Sequence, residues 1–145
     1  MASVVYNFFK HGVMEGSYNL NATGAGKVYV ALVTSSYTPD IDVHQYASII
    51  GTGEAGGAGY TTGGLALSSP NIVQSDAGDY GVLTGSNMTW ATSTITARGA
   101  VLYCSSGSGF ASDRLICYID FGSDYVSSAG NFTITWNAAG ILQLT

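Results

Sequence analysis

From Leu65 to the C-terminus, short runs of β-branched, aromatic and aliphatic residues are broken by Gly, Ser, Asn and Asp clusters about every 8–12 residues. A chain interrupted this often has no room for long helices, and the fold it can reach is built from short antiparallel strands. The clearest run is Asn131–Trp136, where Phe132, Ile134 and Trp136 share one face and Thr133 and Thr135 the other. Leu65–Ser68, Ile72–Gln74, Tyr80–Leu83, Asn87–Ala91, Ile95–Cys104, Arg114–Phe121 and Ile141–Leu144 read the same way. Within Arg114–Phe121, alternation places Leu115, Cys117, Ile119 and Phe121 on one face. Upstream, Lys27–Thr34 is apolar on both faces, which predicts a central strand covered on both sides.

Two segments depart from this rhythm. Val4, Val5, Phe8 and Phe9 fall at spacings of three and four, which predicts a short helix over Val4–Val13 with Ser3 as N-cap and Gly12 as stop. Thr38-Pro39-Asp40-Ile41-Asp42 combines an N-cap, a proline at the first helical position and acids at the positive dipole end. That predicts a second short helix near residues 39–49. Asn21–Gly26 and the glycine-dense Gly51–Gly64 read as loops, the latter mobile and with one irregular edge strand. The expected fold is all-β: a β-sandwich or jelly-roll-like single domain over residues 1–145, carrying two short helices.

Charge narrows the partners. Lys plus Arg number 4 and Asp plus Glu 9, a net charge of −5, and charged residues are 9% of the chain. So few cations cannot neutralise a run of phosphates, so nucleic acid is not an expected partner. No apolar stretch approaches the roughly 20 residues of a membrane helix, and no membrane partner is expected. The opening Met1–Asn7 lacks a basic region followed by an apolar run, so a signal peptide is not expected. A surface short of charge must be clothed in Ser, Thr, Asn, Gly and Tyr, and it suits lasting contact with other protein more than dispersal as a monomer. Self-association, as a homodimer or homotrimer, is expected.

Patterns that could carry chemistry are sparse. Gly51-Thr-Gly-Glu-Ala-Gly56 matches G-x-G-x-x-G, but no crossover helix follows to receive a pyrophosphate, so no nucleotide is expected. Asp40, Asp42 and His44 share a side only if extended, and their place after Pro39 favours helix-start chemistry over a metal site. His11 falls on the polar side of the first predicted helix, and no Gly-x-Ser-x-Gly elbow is present. Cys104 and Cys117 flank a loop and read as two buried thiols, with no further Cys to complete a zinc site. Asn21, Asn87 and Asn131 each begin an acceptor pattern for glycosylation, which without an export signal reads as chance. No catalysis, metal or cofactor is expected.

Several segments in order resemble one family. They are Ser3–Lys10, Lys27–His44, Gly59-Tyr-Thr-Thr-Gly-Gly64, Ile116-Cys-Tyr-Ile-Asp-Phe-Gly122 and Phe132–Leu142. Together they look like small proteins encoded among the structural genes of tailed bacteriophages and prophages. The Gly51–Gly59 stretch departs from that pattern, where relatives are more polar and charged. The resemblance implies a capsid decoration (cement) protein, assembled in the host cytoplasm and bound to the major capsid protein. The net negative charge, repelled by packaged DNA, favours the outer capsid surface. A tail or baseplate component, or a receptor-binding adhesin with exposed aromatics, is the rival. The expected contacts with the capsid are Val4, Val5, Tyr6, Phe8 and Phe9 at the N-terminus and Gly53, Gly56 and Gly57 in the glycine-rich loop.

Overall fold

The computed structural model describes residues 2–21 and 27–145. The expected loop Asn21–Gly26 therefore lies, beyond Asn21, outside the described residues. The fold is all-β. Its largest sheet has five antiparallel strands: β1 (Val4–Val5), β2 (Val28–Val33), β3 (Leu65–Ala66), β7 (Thr96–Cys104) and β8 (Arg114–Val126), ordered β1-β8-β7-β2-β3. A second sheet orders β10 (Leu142–Leu144), β5 (Tyr80–Thr84) and β4 (Asn71–Ser75), and a third pairs β6 (Met88–Ser93) with β9 (Gly130–Ile134). One face of the large sheet meets the two small sheets in a sandwich core that includes Val30, Leu32, Leu102, Ile116, Trp90 and Phe132. Its other face packs Ala31, Val33, Val101, Tyr103, Leu115 and Tyr118 beneath Tyr6, Tyr37, Ala47 and Ile50. This double cover is why Lys27–Thr34 is apolar throughout.

The N-terminal helix is shorter and later than the apolar spacing predicts. Val4 and Val5 form β1 opposite Tyr118 and Cys117, and α1 spans Asn7–Met14. The outer edge of β8 offers the first two valines backbone partners, and that pairing overrides their helical spacing. Ser3 is not an N-cap; its Oγ accepts the Asp120 N–H at 3.0 Å. Gly12 is not the stop either. It lies inside α1, where a Cβ would collide with the Tyr18 ring. The helix closes at Gly16 (φ 73°), with Ser17 N–H donating to Gly12 O and Gly16 N–H to Val13 O, a Schellman closure.

The second helix is also displaced. Residues 38–43 form a turn in which Asp40 Oδ1 accepts the Asp42 and Val43 N–H groups at 3.0 and 3.1 Å. The capping chemistry is present, but in Asp40 rather than Thr38, and no helix propagates from it. The helical segment is a 3₁₀ stretch, Ala47–Gly53, broken at Gly51 (φ 48°, ψ −128°).

Alternation also fails at the start of β8. Leu102 pairs with Cys117, yet Tyr103 pairs with Leu115, so Ile116 is the extra residue of a bulge. Leu115 faces the Tyr6–Tyr37 layer, while Ile116 and Cys117 face the sandwich core. β8 also runs past Phe121 to Val126, carrying a second irregularity opposite Arg98.

The glycine-dense segment is packed rather than mobile. Glu54 Oε1 accepts the Tyr60 O–H at 2.8 Å and also the Gly63 N–H, and the Tyr60 hydroxyl in turn accepts Leu32 N–H at 3.1 Å. This chain of bonds laces residues 54–63 to β2. Gly64 (φ 74°) lies so close to β2 that a Cβ would overlap the Val30 carbonyl, whereas a Cβ on Gly56 meets open space. Gly64→Ala should cost about 2–5 kcal/mol, from left-handed strain plus forced overpacking. Gly56→Ala should stay within about 0.5 kcal/mol of the parent. Urea denaturation of the two variants checks the contrast, and equal losses would mean the segment is not packed as described.

Candidate functional site

The expected contact residues do not form one surface. Tyr6 and Phe9 are fully buried and Gly53 is buried, so none of the three has a face to offer a partner. Val4, Val5 and Phe8 are half-buried, and Gly56 and Gly57 are exposed. Tyr6 is instead a structural hydroxyl. It shares a 2.7 Å hydrogen bond with the Tyr37 hydroxyl, which lies 3.1 Å from His44 Nδ1. Burial pushes the Tyr6 phenol, and more modestly that of Tyr37, above the ordinary range.

Asp40, Asp42 and His44 face separate tasks. Asp40 Oδ1 holds its turn, Asp42 Oδ1 accepts Asn7 Nδ2–H at 2.7 Å, and His44 Nδ1 accepts the Asp40 N–H at 3.2 Å. Among the described residues no group of three His, Cys, Asp or Glu side chains is placed to hold a metal. His11 lies exposed, 3.4 Å from Glu15 one helical turn on. Cys104 and Cys117 are buried thiols, with burial pushing Cys117 up to about 12. Gly53 of the glycine motif turns its carbonyl to Thr34 N–H at 2.9 Å, and no helix opens behind the motif to receive a phosphate. Of the three glycosylation patterns, the first extends to Thr23, outside the described residues.

A groove of about 700 Å³ lies between β8, β9 and the turn leading into β10. One wall is the end of β8: Ile119, Phe121, Tyr125 and Val126, with Ser3 beside them. The other wall is the consecutive stretch Asn131–Asn137, continuing to Gly140 and Ile141. Phe121 bridges the walls, its ring 6.3 Å from Phe132 and 6.1 Å, edge-on, from Tyr125. Tyr125 and Val126 stand 55% and 67% exposed on the rim. Trp136 is held by two bonds to the loop before β6: its N–H to Asn87 Oδ1 at 3.0 Å and its Nε1–H to Ser86 O at 2.9 Å.

Among the described residues, none lining the groove is ionisable apart from the Tyr125 phenol, although the chain carries a net charge of −5. Between the lining residues Ile119 and Phe121, Asp120 is paired instead with Arg98, whose Nε donates to Asp120 Oδ1 at 2.9 Å and holds the carboxyl down to about 2. An uncharged, largely apolar groove suits neutral surface, through burial and a few hydrogen bonds.

Sequence reasoning found the β9 alternation but not this groove. Phe121 and Trp136 were visible only as strand residues, and Tyr125 and Val126 followed the predicted end of β8. The walls come from strands of two different sheets, and no local pattern brings them together. No family model matches the chain, and no curated protein or solved structure matches it.

The His44 contacts generate a pH dependence. Burial lowers its pKa below the usual 6.5, against an opposing pull from Asp40. The folded state then binds fewer protons than the unfolded one, so the stabilisation is complete above about pH 6.5 and is lost as pH falls from there through the lower pKa of the folded state. Urea midpoints should drop between pH 7.5 and 5. His44→Asn, which retains an acceptor near the Nδ1 position, should flatten that drop, and an unchanged pH profile in the variant would contradict the assignment.

Proposed function

We propose that this chain is a structural protein of a tailed-phage virion, a decoration protein that docks on the outer face of the major capsid protein lattice. The segments that resemble phage structural proteins supply the identity of the partner. The observation that carries docking is the uncharged groove with its exposed rim of Tyr125 and Val126 in a chain of net charge −5. A protein held permanently against another must bury neutral surface, and exposed apolar side chains that gather in one place mark such contacts. A specific contact of this kind buries about 800 Å² per partner, and repetition over a symmetric shell multiplies its effect.

The N-terminus contributes through the fold in this reading. Removing the first ten residues would take Tyr6 and Phe9 out of the two cores, so truncation would report folding rather than docking. Rim substitutions separate the two. Heads of the encoding phage assembled without this protein should bind it in co-sedimentation and then resist thermal rupture. Tyr125→Asp and Val126→Asp together should weaken binding at least tenfold while leaving the circular dichroism spectrum and urea midpoint near the parent's. Parent protein that stays in the supernatant would overturn the reading, and retention on a glycan array instead would favour the adhesin role.

A further inference from the structure

We infer that the groove is an acceptor for an extended segment of another polypeptide, which adds to the free edge of β9 as a further strand. The inference rests on the groove being a protein-docking site and names what enters it. Seven consecutive residues, Asn131–Asn137, line one wall. Side chains of a strand alternate between faces, so a groove lined by odd and even positions together runs along the strand's edge and meets its backbone.

Three observations fix which backbone groups face it. Gly130 O accepts Ser93 Oγ–H from the β6 side, and Trp136 N–H donates to Asn87 at the start of β6. The Thr89 and Thr133 hydroxyls approach to 3.0 Å, the closeness of a non-hydrogen-bonded cross-strand pair. Even-numbered residues of β9 therefore turn their N–H and C=O groups toward β6. Asn131, Thr133 and Thr135 turn theirs the other way, and among the described residues β9 has no strand partner besides β6.

Three of the polar side chains on this wall are engaged within the chain. Thr133 is bonded to Thr89, Trp136 Nε1–H is given to Ser86 O, and Asn137 Oδ1 accepts Ala139 N–H at 2.8 Å. Besides the exposed Asn131 and Thr135 side chains, main chain faces the groove at every second residue, the spacing that another strand satisfies. The groove carries no formal charge, so the complementary segment is uncharged, with apolar side chains at alternate positions resting on Phe121 and Phe132. A charged segment would lose its hydration there without a counter-ion.

Immobilised hexapeptides alternating Val or Ile with Thr or Ser, capped at both ends, are the probe. The folded full-length protein should be retained by the uncharged peptides. It should bind at least tenfold more weakly to versions N-methylated at every second residue, or with Asp at the apolar positions. With the best peptide bound, hydrogen exchange should slow at the Asn131, Thr133 and Thr135 amides, and Tyr125→Asp should lower affinity at least tenfold without loss of fold. No retention of any peptide, indifference to N-methylation, or protection at other amides would overturn strand addition. The outcome is separable from docking itself. A protein that sediments with heads while its β9 edge amides exchange as in the free state docks by another surface, and one that captures peptides but ignores heads keeps the acceptor edge and loses the capsid as partner.

Discussion

Covering both faces of β2, β7 and β8 is the constraint on which the rest of the molecule depends. Every side chain from Ala100 to Cys104 is buried, and neighbours along the strand feed two different cores. The small sheets supply one cover through Trp90, Leu83 and Phe132. Among the described residues the other cover has no strands of its own, and it is assembled from the N-terminal segment after β1, the turn at residues 38–43 and the 3₁₀ segment. Irregular chain laid over a sheet has backbone groups to satisfy, and here the bonds are specific: Ala47 N–H to Asp113 O, Leu115 N–H to Gln45 O and Asn7 N–H to Ile41 O. The Tyr6–Tyr37–His44 hydroxyl and imidazole contacts belong to the same layer. They let the Tyr6 and Tyr37 rings fill space beneath a loop with both hydroxyls paired.

The groove follows from strands of unequal length. β7 pairs with β8 from Arg114 to Val126, with the extra β8 residues taken up in bulges, but on the outer edge β1 has 2 residues and pairs only with Tyr118 and Cys117, so among the described residues the far end of β8 has no strand neighbour there. The β6–β9 pair sits across from that overhang and is hydrogen-bonded to neither of the other sheets. Natural sheets usually guard such edges with charge, proline or a bulge on the exposed strand. β9 carries none of these over Gly130–Ile134. The bulged lip of β8, braced by the Arg98–Asp120 pair, walls the edge in without pairing to it. An unguarded edge inside a neutral trough is consistent with a protein that meets its partner once and stays.

Much of the strand content could be read directly from residue order. β4 and β5 form over the expected runs Ile72–Gln74 and Tyr80–Leu83, β7 and β9 are close to their expected limits, and both thiols are buried. The misreadings share one cause. Val4 and Val5 have helical spacing but meet an open strand edge. Thr38-Pro39 has the grammar of a helix start but leads into a segment pinned across the sheet. Leu115 is in phase with Cys117 by count and out of phase by one bulge. The glycine-dense stretch suggests freedom, whereas its glycines at 53, 57, 59 and 64 are places where the chain presses against Tyr37, Thr94, Ser93 and Val30. In each case a contact distant in sequence overrode a sound local preference.

Residue order alone decided that this chain would be a single layered β domain, where most of its strands lie, and that it would present a surface poor in charge. Those properties depend on side-chain period, on turn residues and on composition, all of which are local. Which strands pair, which face the bulged residues take, and the trough between β8 and β9 were settled only by the folded chain. They arise where segments separated by tens of residues compete for the same backbone partners, and that competition leaves no periodic trace in any one segment.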